Sequence, residues 1–315
     1  MGFFASLINS MPSAVAQGLI WGIMAIGVYL TYRILDVADL TVDGSLGTGG
    51  AVCVVMVLNG APVGLALLAA TAAGMLAGLV TGLVHTACGI PAILAGILTQ
   101  LALYSVNLRI MGFGTGGGKA NLPISVDKYG LLVSARYVRN VALNNPILIL
   151  TIFCAVLIAV LYWFFGTELG CSLRATGANQ NMARAQGINT NVTKVLGLMI
   201  SNGLVALAGG LLAQYQGFSD INMGRGAIVI GLAAVIIGEV IFSRIFRNFA
   251  LKLLSAVIGA IIYYIVMVFV LRLGLSTDDL KLLTALVVAL FLTIPYWKGK
   301  YFTKTSVKKG EKNHA

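Results

Sequence analysis

Charge is what this sequence has least of. Asp, Glu, Lys and Arg make up 10% of its 315 residues, against roughly 25% in an ordinary soluble domain. Hydrophobic residues reach 59% and the mean hydropathy is +0.95. So few charges cannot clothe a water-soluble surface, and the chain reads as an integral membrane protein. Histidine is nearly missing, with only His85 and His314. The four cysteines, Cys53, Cys88, Cys154 and Cys171, lie far apart, without metal-ligand spacing or a disulfide framework. No nucleophile–base pair, metal cluster or paired carboxylates stand out, so no enzyme chemistry, metal or cofactor is expected. The start, MGFFASLINSMPSA, has no Lys or Arg to form an n-region, and the first apolar run is expected to be retained.

The excess of base over acid, +11 in all, does not point to nucleic acid. Six of the 21 bases fall after Trp297 and the rest are scattered among loops, the usual signal of cytoplasmic loops in a membrane protein.

Long apolar runs dominate what is present. They cover approximately 15–32, 44–58, 62–84, 91–111, 146–165, 195–215, 227–242, 251–273 and 280–295. The expectation is an all-α, polytopic domain of about nine spans (eight to ten), the second and seventh runs being short for a crossing of about 20 residues. It fills residues 1–315 as one unit with a basic tail at 298–315. Pro12, Pro62, Pro91 and Pro146 lie at or just before run starts, where a helix tolerates proline. Gly74, Gly78 and Gly82, like Gly18 and Gly22, recur every four residues, which lets helix backbones approach closely. Basic residues place the tail, the 242–251 link and the 173–189 loop in the cytoplasm. Alternation then puts the N-terminus outside, with the 112–145 link, although that link carries four bases of its own.

Three polar stretches interrupt the runs. The first is LRATGANQNMARAQGIN (Leu173–Asn189). Its inner part reads as a short helix capped by Asn179 at its start and closed by Gly187. A helix this short does not survive alone in water, so something must hold it. The second, ILDVADLTVDGSLGTGGAV (Ile34–Val52), sets Asp36, Asp39 and Asp43 beside four glycines. It reads either as a late-starting helix facing a cavity, with Asp43 capping it, or as an interfacial loop whose acids pair with Arg33. The third, QGFSDINMGRGAIVIGLAAVIIGE (Gln216–Glu239), places Arg225 near a membrane entrance and Glu239 at the inner end of a short run. A pairing of Glu239 with Arg244 or Arg247 is expected. GFGTGGGKA (Gly112–Ala120) is not a phosphate loop: Phe113 stands where the first glycine is required and Ala120 where Ser or Thr is. It reads as a flexible loop.

Leu173, Arg174, Ala175, Gly177, Asn179, Ala183, Gly187, Ile188 and Asn189 together resemble the cytoplasmic coupling loop of bacterial ABC importer permeases of the branched-chain amino acid permease superfamily. The D-L-T-V-D-G-S and D-x-N-M-G-x-G strings resemble an amino-acid-type subgroup of it. The resemblance implies the fold of the type II, or large, importers. It implies an ATP-driven permease subunit in a bacterial inner membrane, two ATPase subunits docking on the coupling loop, a second copy of the chain, and a solute-binding protein or lipoprotein outside. Arg174, Gly177, Asn179, Ala183, Arg184 and Gly187 would couple to the ATPase. Thr41, Asp43, Ser45, Gln100, Asn107, Ser201 and Asn202 are candidates for the solute path. Lys119, Lys128, Arg136 and Arg139 would meet acidic groups on the binding protein. The subgroup favours an amino acid, an aromatic one in particular. A sugar or nucleoside permease of the same superfamily is the alternative. So is an ion-coupled carrier relying on Asp36, Asp39, Asp43 and Glu239, but such carriers carry two broken segments in related halves, and only one is legible here.

Overall fold

The computed structural model describes residues 3–113, 117–125, 128–138, 145–242, 246 and 248–272, with 282, 285–286, 288–290 and 293. The 280–295 run therefore falls mostly outside the described residues, as do the 298–315 tail, Arg139, Arg244 and Arg247.

Ten α-helices are delimited among the described residues: α1 (Phe3–Tyr29), α2 (Val42–Leu58), α3 (Val63–Thr86), α4 (Ala92–Met111), α5 (Pro146–Gly166), α6 (Glu168–Ala178), α7 (Gln180–Ala185), α8 (Thr190–Gln216), α9 (Ala227–Phe242) and α10 (Phe249–Arg272). A π-helical turn, Leu30–Ile34, prolongs α1. Among the described residues, six helices are long and apolar enough to cross a membrane, namely α1 with its π-helical turn, α3, α4, α5, α8 and α10. Two shorter apolar helices, α2 and α9, correspond to the two short runs. The helix starts follow the prolines: Pro62 and Pro91 immediately precede α3 and α4, and Pro146 opens α5 beside the Asn145 cap.

α1 and α8 form the centre, with 83% and 72% of their apolar windows buried, while α4 and α5 reach only 22% each and lie outermost. The glycine ridges explain the closeness of the inner helices. Gly74, Gly78 and Gly82 of α3 face Asn202 and Ala206, Leu198, and Val195 of α8. Gly18 and Gly22 of α1 face Ile261 and Val257 of α10. The ridges therefore serve packing within one chain. Leu68, Leu76, Leu98, Val156, Val160 and Trp163 stay exposed on α3, α4 and α5, an apolar belt that water would not tolerate and a bilayer does.

Some expectations are corrected. β1 (Asn121–Pro123) pairs antiparallel with β2 (Phe218–Asp220), Leu122 opposite Ser219, a small element in an otherwise helical chain. Neither described part of the Gly112–Ala120 stretch is loose: the Lys119 amide donates to the Leu108 carbonyl at 3.3 Å, folding the stretch back on α4. Beyond it, Ile124, Val133 and Val138 are buried against the bundle end. The polar stretch at 173–189 is helical from its first residue, because α6 begins at Glu168 behind the Thr167 cap.

The largest correction concerns broken segments, of which there are two among the described residues. After the π-helical turn, residues 35–41 run back into the bundle without helical structure, and α2 starts only at Val42. After β2, residues 221–226 descend along α2 in turns, and α9 starts only at Ala227. The two starts meet: Gly224 lies against the Asp43 carbonyl. From that junction α2 runs toward the β1–β2 end. α9 runs toward the opposite end, where Glu239 reaches Arg33.

Candidate functional site

A helix start leaves backbone N–H groups without partners, and here two starts face each other inside the bundle. Asp43 resolves half of this. Its carboxylate accepts from the Gly226 and Ile228 amides, both at 2.9 Å. Asp43 thus caps α9, not the helix in which it sits, and a negative group at a helix N-terminus is doubly favoured.

Behind the junction lies a buried polar lattice. Asp39, 2% exposed, accepts from the Thr41 amide at 2.9 Å and from the Asn202 side-chain amide at 2.6 Å. Ser45 donates to the Asn202 carbonyl oxygen at 2.6 Å. The Thr41 and Thr81 hydroxyls pair at 2.8 Å. Ser201 donates to the Gly27 carbonyl at 2.7 Å. Thr41, Ser45, Ser201 and Asn202 are all fully buried. They tie α2, α3, α8 and α1 together.

In front of the junction is a cleft of about 280 Å³, lined by Asp43, Gly44, Gln100, Leu101, Tyr104, Asn107, Ile221 and Arg225. Asp43, Gln100 and Asn107 of the solute-path candidates therefore share one space, and Arg225 and Tyr104 join them. Arg225 already stood out in the sequence as a base near a membrane entrance. Tyr104 lay inside an apolar run with nothing to mark it. Asn107 is 2% exposed, and its Oδ1 is the one buried side-chain atom among the described residues with no hydrogen-bond partner. Its Nδ2 reaches only the Gly44 carbonyl, at 3.5 Å.

The second polar region sits at the Glu239 end of the bundle. Asn179 caps α7 by accepting from the Met182 amide at 3.1 Å. Gly187, at φ +83°, closes it in the left-handed conformation, and the Ile188 amide returns to the Ala183 carbonyl at 3.0 Å. Ala183 is the only buried residue of this six-residue helix, and Arg184 anchors it by donating to the Thr190 hydroxyl at 2.8 Å. Arg174 belongs to α6, where it donates to the Phe165 carbonyl at 2.8 Å and lies 5.9 Å from the Phe249 ring. Gly177 packs directly on the Ile34 carbonyl of the π-helical turn. The six residues thus lie in one region at this end of the bundle, with Ala183 turned inward and Gly177 packed on the end of α1.

Glu239 has a described partner, while Arg244 and Arg247, the pairing expected from the sequence, lie outside the described residues. Glu239 pairs with Arg33 at 3.0 Å, linking α9 to the same π-helical turn, with both side chains partly exposed. An exposed pair is worth about 0–1 kcal/mol. Glu239→Gln is therefore expected to move the melting temperature of the purified protein by less than about 3 °C. A loss several times larger in a thermal melt would place Glu239 in a buried, structural role. His85 is occupied locally, its Nδ1 2.8 Å from the Ile90 carbonyl across the α3–α4 turn. At the opposite end of the molecule Lys119, Lys128 and Arg136 are exposed.

Among the described residues, six long apolar helices, two shorter ones whose starts meet inside the bundle, and a helical platform at one end make this a multi-pass membrane protein by architecture. The chain belongs to the family described as branched-chain amino acid transport system / permease component, whose model matches residues 10–294. It is thus a permease of the ABC importer class and a multi-pass inner-membrane protein, and membership implies ATPase and binding-protein partners. It is 41% identical over 284 residues to a tyrosine transport system permease protein of Clostridioides difficile (strain R20291), covering 90% of each chain. It is 37% identical over 289 residues to an uncharacterised protein of Rickettsia prowazekii (strain Madrid E), covering 90% of this chain and 97% of that one. The ribose import permease protein of Escherichia coli (strain K12) is 28% identical over 233 residues, covering 73% of this chain and 69% of that one. In fold, the chain resembles one in the solved structure of PsaBC from Streptococcus pneumoniae in complex with Fab. The TM-score is 0.51, with 16% identity and coverage of 95% and 98%.

Proposed function

We propose that this permease carries an amino acid, with an aromatic one first among candidates, driven by ATP hydrolysis in a separate subunit. The observation that carries the coupling half is α7: a helix too short to stand alone, held by a cap, a left-handed closure and the Arg184–Thr190 bond, with Asn181, Met182, Arg184 and Ala185 exposed. A surface helix braced in this way is suited to receive a push from a partner. Two ATPase subunits dock on the α6–α7 surface of two copies of the chain, and that end faces the cytoplasm. The solute-binding protein docks at the opposite end, where Lys119, Lys128 and Arg136 offer positive charge to acidic groups. The amino-acid half draws its support from the similarity to the tyrosine permease. The ribose permease supports a sugar more weakly.

The test is uptake into vesicles holding the permease, its ATPase and its binding protein, with tyrosine, leucine and ribose offered in turn. Uptake of tyrosine that requires ATP and the binding protein is expected. Arg184→Ala is expected to lower it at least about tenfold while the subunits still assemble, since it frees α7 from Thr190, and Gly187→Val is expected to lower it as far by straining the closure of α7. Uptake without ATP that follows an ion gradient would overturn the proposal, and ribose uptake alone would replace its substrate.

A further inference from the structure

We propose that the cleft in front of the helix junction is a transit site that reads both charges of an α-amino acid: Arg225 takes the carboxylate, and Asn107 with Asp43 takes the ammonium.

Four observations converge on it. First, the orphaned Oδ1 of Asn107 is an acceptor inside a nearly closed wall. Leaving such an atom unpaired is costly, and a donor entering the cleft removes the cost. Gly47 keeps the place open, because a side chain there would press on the Asn107 amide. Second, Asp43 accepts from the Gly226 and Ile228 amides with the Ala227 amide beside them, and a carboxylate has about four acceptor sites. It retains capacity for a cation. Third, Arg225 lines the same cleft, is exposed, and has no carboxylate partner among the described residues. Its planar fork matches a carboxylate. Fourth, the size is small. About 280 Å³ lies just below the usual range of ligand pockets, ~300–1,000 Å³, a size for a single small solute.

One negative and one positive group in one cleft complement a zwitterion, whereas a sugar offers neither charge. Tyr104 and Leu101 on the α4 wall provide apolar and aromatic surface for a side chain. Gln100, half-buried and without a side-chain hydrogen bond among the described residues, adds a neutral polar contact.

The importer reading enters only through the choice of tyrosine as probe. Binding is therefore measured without ATPase or binding protein, by saturation-transfer NMR on the full-length permease in nanodiscs. The probes are L-tyrosine, tyramine (no carboxylate), 3-(4-hydroxyphenyl)propionate (no ammonium) and ribose. Tyrosine is expected to bind about tenfold more tightly than either analogue, the loss of one charged hydrogen bond, and ribose not at all. Arg225→Gln is expected to erase the preference for tyrosine over tyramine. Asn107→Leu is expected to erase the preference over the propionate, while Asn107→Asp, which keeps the acceptor, retains it. Arg225 is exposed, so its replacement leaves the fold intact. Equal binding of all four probes, no binding of tyrosine, or unchanged preferences in the Arg225 and Asn107→Leu variants would overturn the assignment. Uptake experiments can fail or succeed independently of these outcomes.

Discussion

Asp39→Ala is expected to destabilise the protein by roughly 3 kcal/mol, because the carboxylate it removes is the centre of a closed lattice. Two donors depend on Asp39, the Thr41 amide and the Asn202 side-chain amide. Each is buried, and a buried donor left without a partner costs about 1–3 kcal/mol. Asn202 keeps one bond, to the Leu198 carbonyl at 3.0 Å, but loses the one that orients its oxygen toward Ser45. Thr41 keeps none through its amide, and α2 begins there. The damage should therefore spread from the start of α2 to the middle of α8. In a detergent-solubilised melt the expectation is a fall of roughly 6–10 °C. Asp39→Asn should fall in between: its oxygen can replace one acceptor, while its NH2 would face the donor of the other. A melting temperature within 1 °C of the parent for Asp39→Ala would mean that water or another group takes over both donors.

The same lattice shows what the sequence could and could not reveal. The spans were legible because hydropathy and proline act locally: the runs at 62–84, 91–111 and 146–165 become α3, α4 and α5 with their prolines at the starts. The platform helix was legible for the same reason, since Asn179 and Gly187 lie within or beside the turns they cap and close. The polar residues at 39–45 were visible as anomalous, but their partners were not. Asp43 caps a helix whose amide is 183 residues away, and nothing in the spacing of an acid reports a bond at that distance. The local alternative, that Asp43 caps its own helix, was the default, and the meeting of two helix starts defeats it. Glu239 followed the same pattern. Arg33 is far from it in sequence and near in space, brought there by the π-helical end of α1. The second broken segment was hidden for a different reason. Residues 221–226 contain no run of acids and join an apolar helix, so composition alone treats them as an ordinary loop before a short span. The three-residue strands are likewise too short to show a period of two.

Gly177→Ala is expected to cut ATP-driven uptake at least about tenfold while leaving ATPase assembly intact. A β-carbon at Gly177 would overlap the Ile34 carbonyl and sit within contact of the Leu35 backbone. These are backbone atoms, so no flexible side-chain tip can swing aside, and α6 must lift away from the end of α1. Overpacking of this kind costs about 1–3 kcal/mol, which the bundle survives. The displacement matters more than the energy. The π-helical turn that receives Gly177 also holds Arg33, and Arg33 holds Glu239 on α9. The other end of α9 is capped by Asp43 in the wall of the cleft. A push on α7 thus has one continuous route to the cleft: α6, the end of α1, α9, Asp43. Gly187→Val acts differently, since it strains the closure of α7 while no atom lies near its β-carbon. It should weaken docking of the ATPase, where Gly177→Ala should leave docking and ATP hydrolysis in place and uncouple them from uptake. Hydrolysis and uptake measured side by side in the same vesicles separate the two. Undiminished uptake in Gly177→Ala would mean that motion reaches the cleft by another path, with α8, which follows α7 directly, the next helix to test.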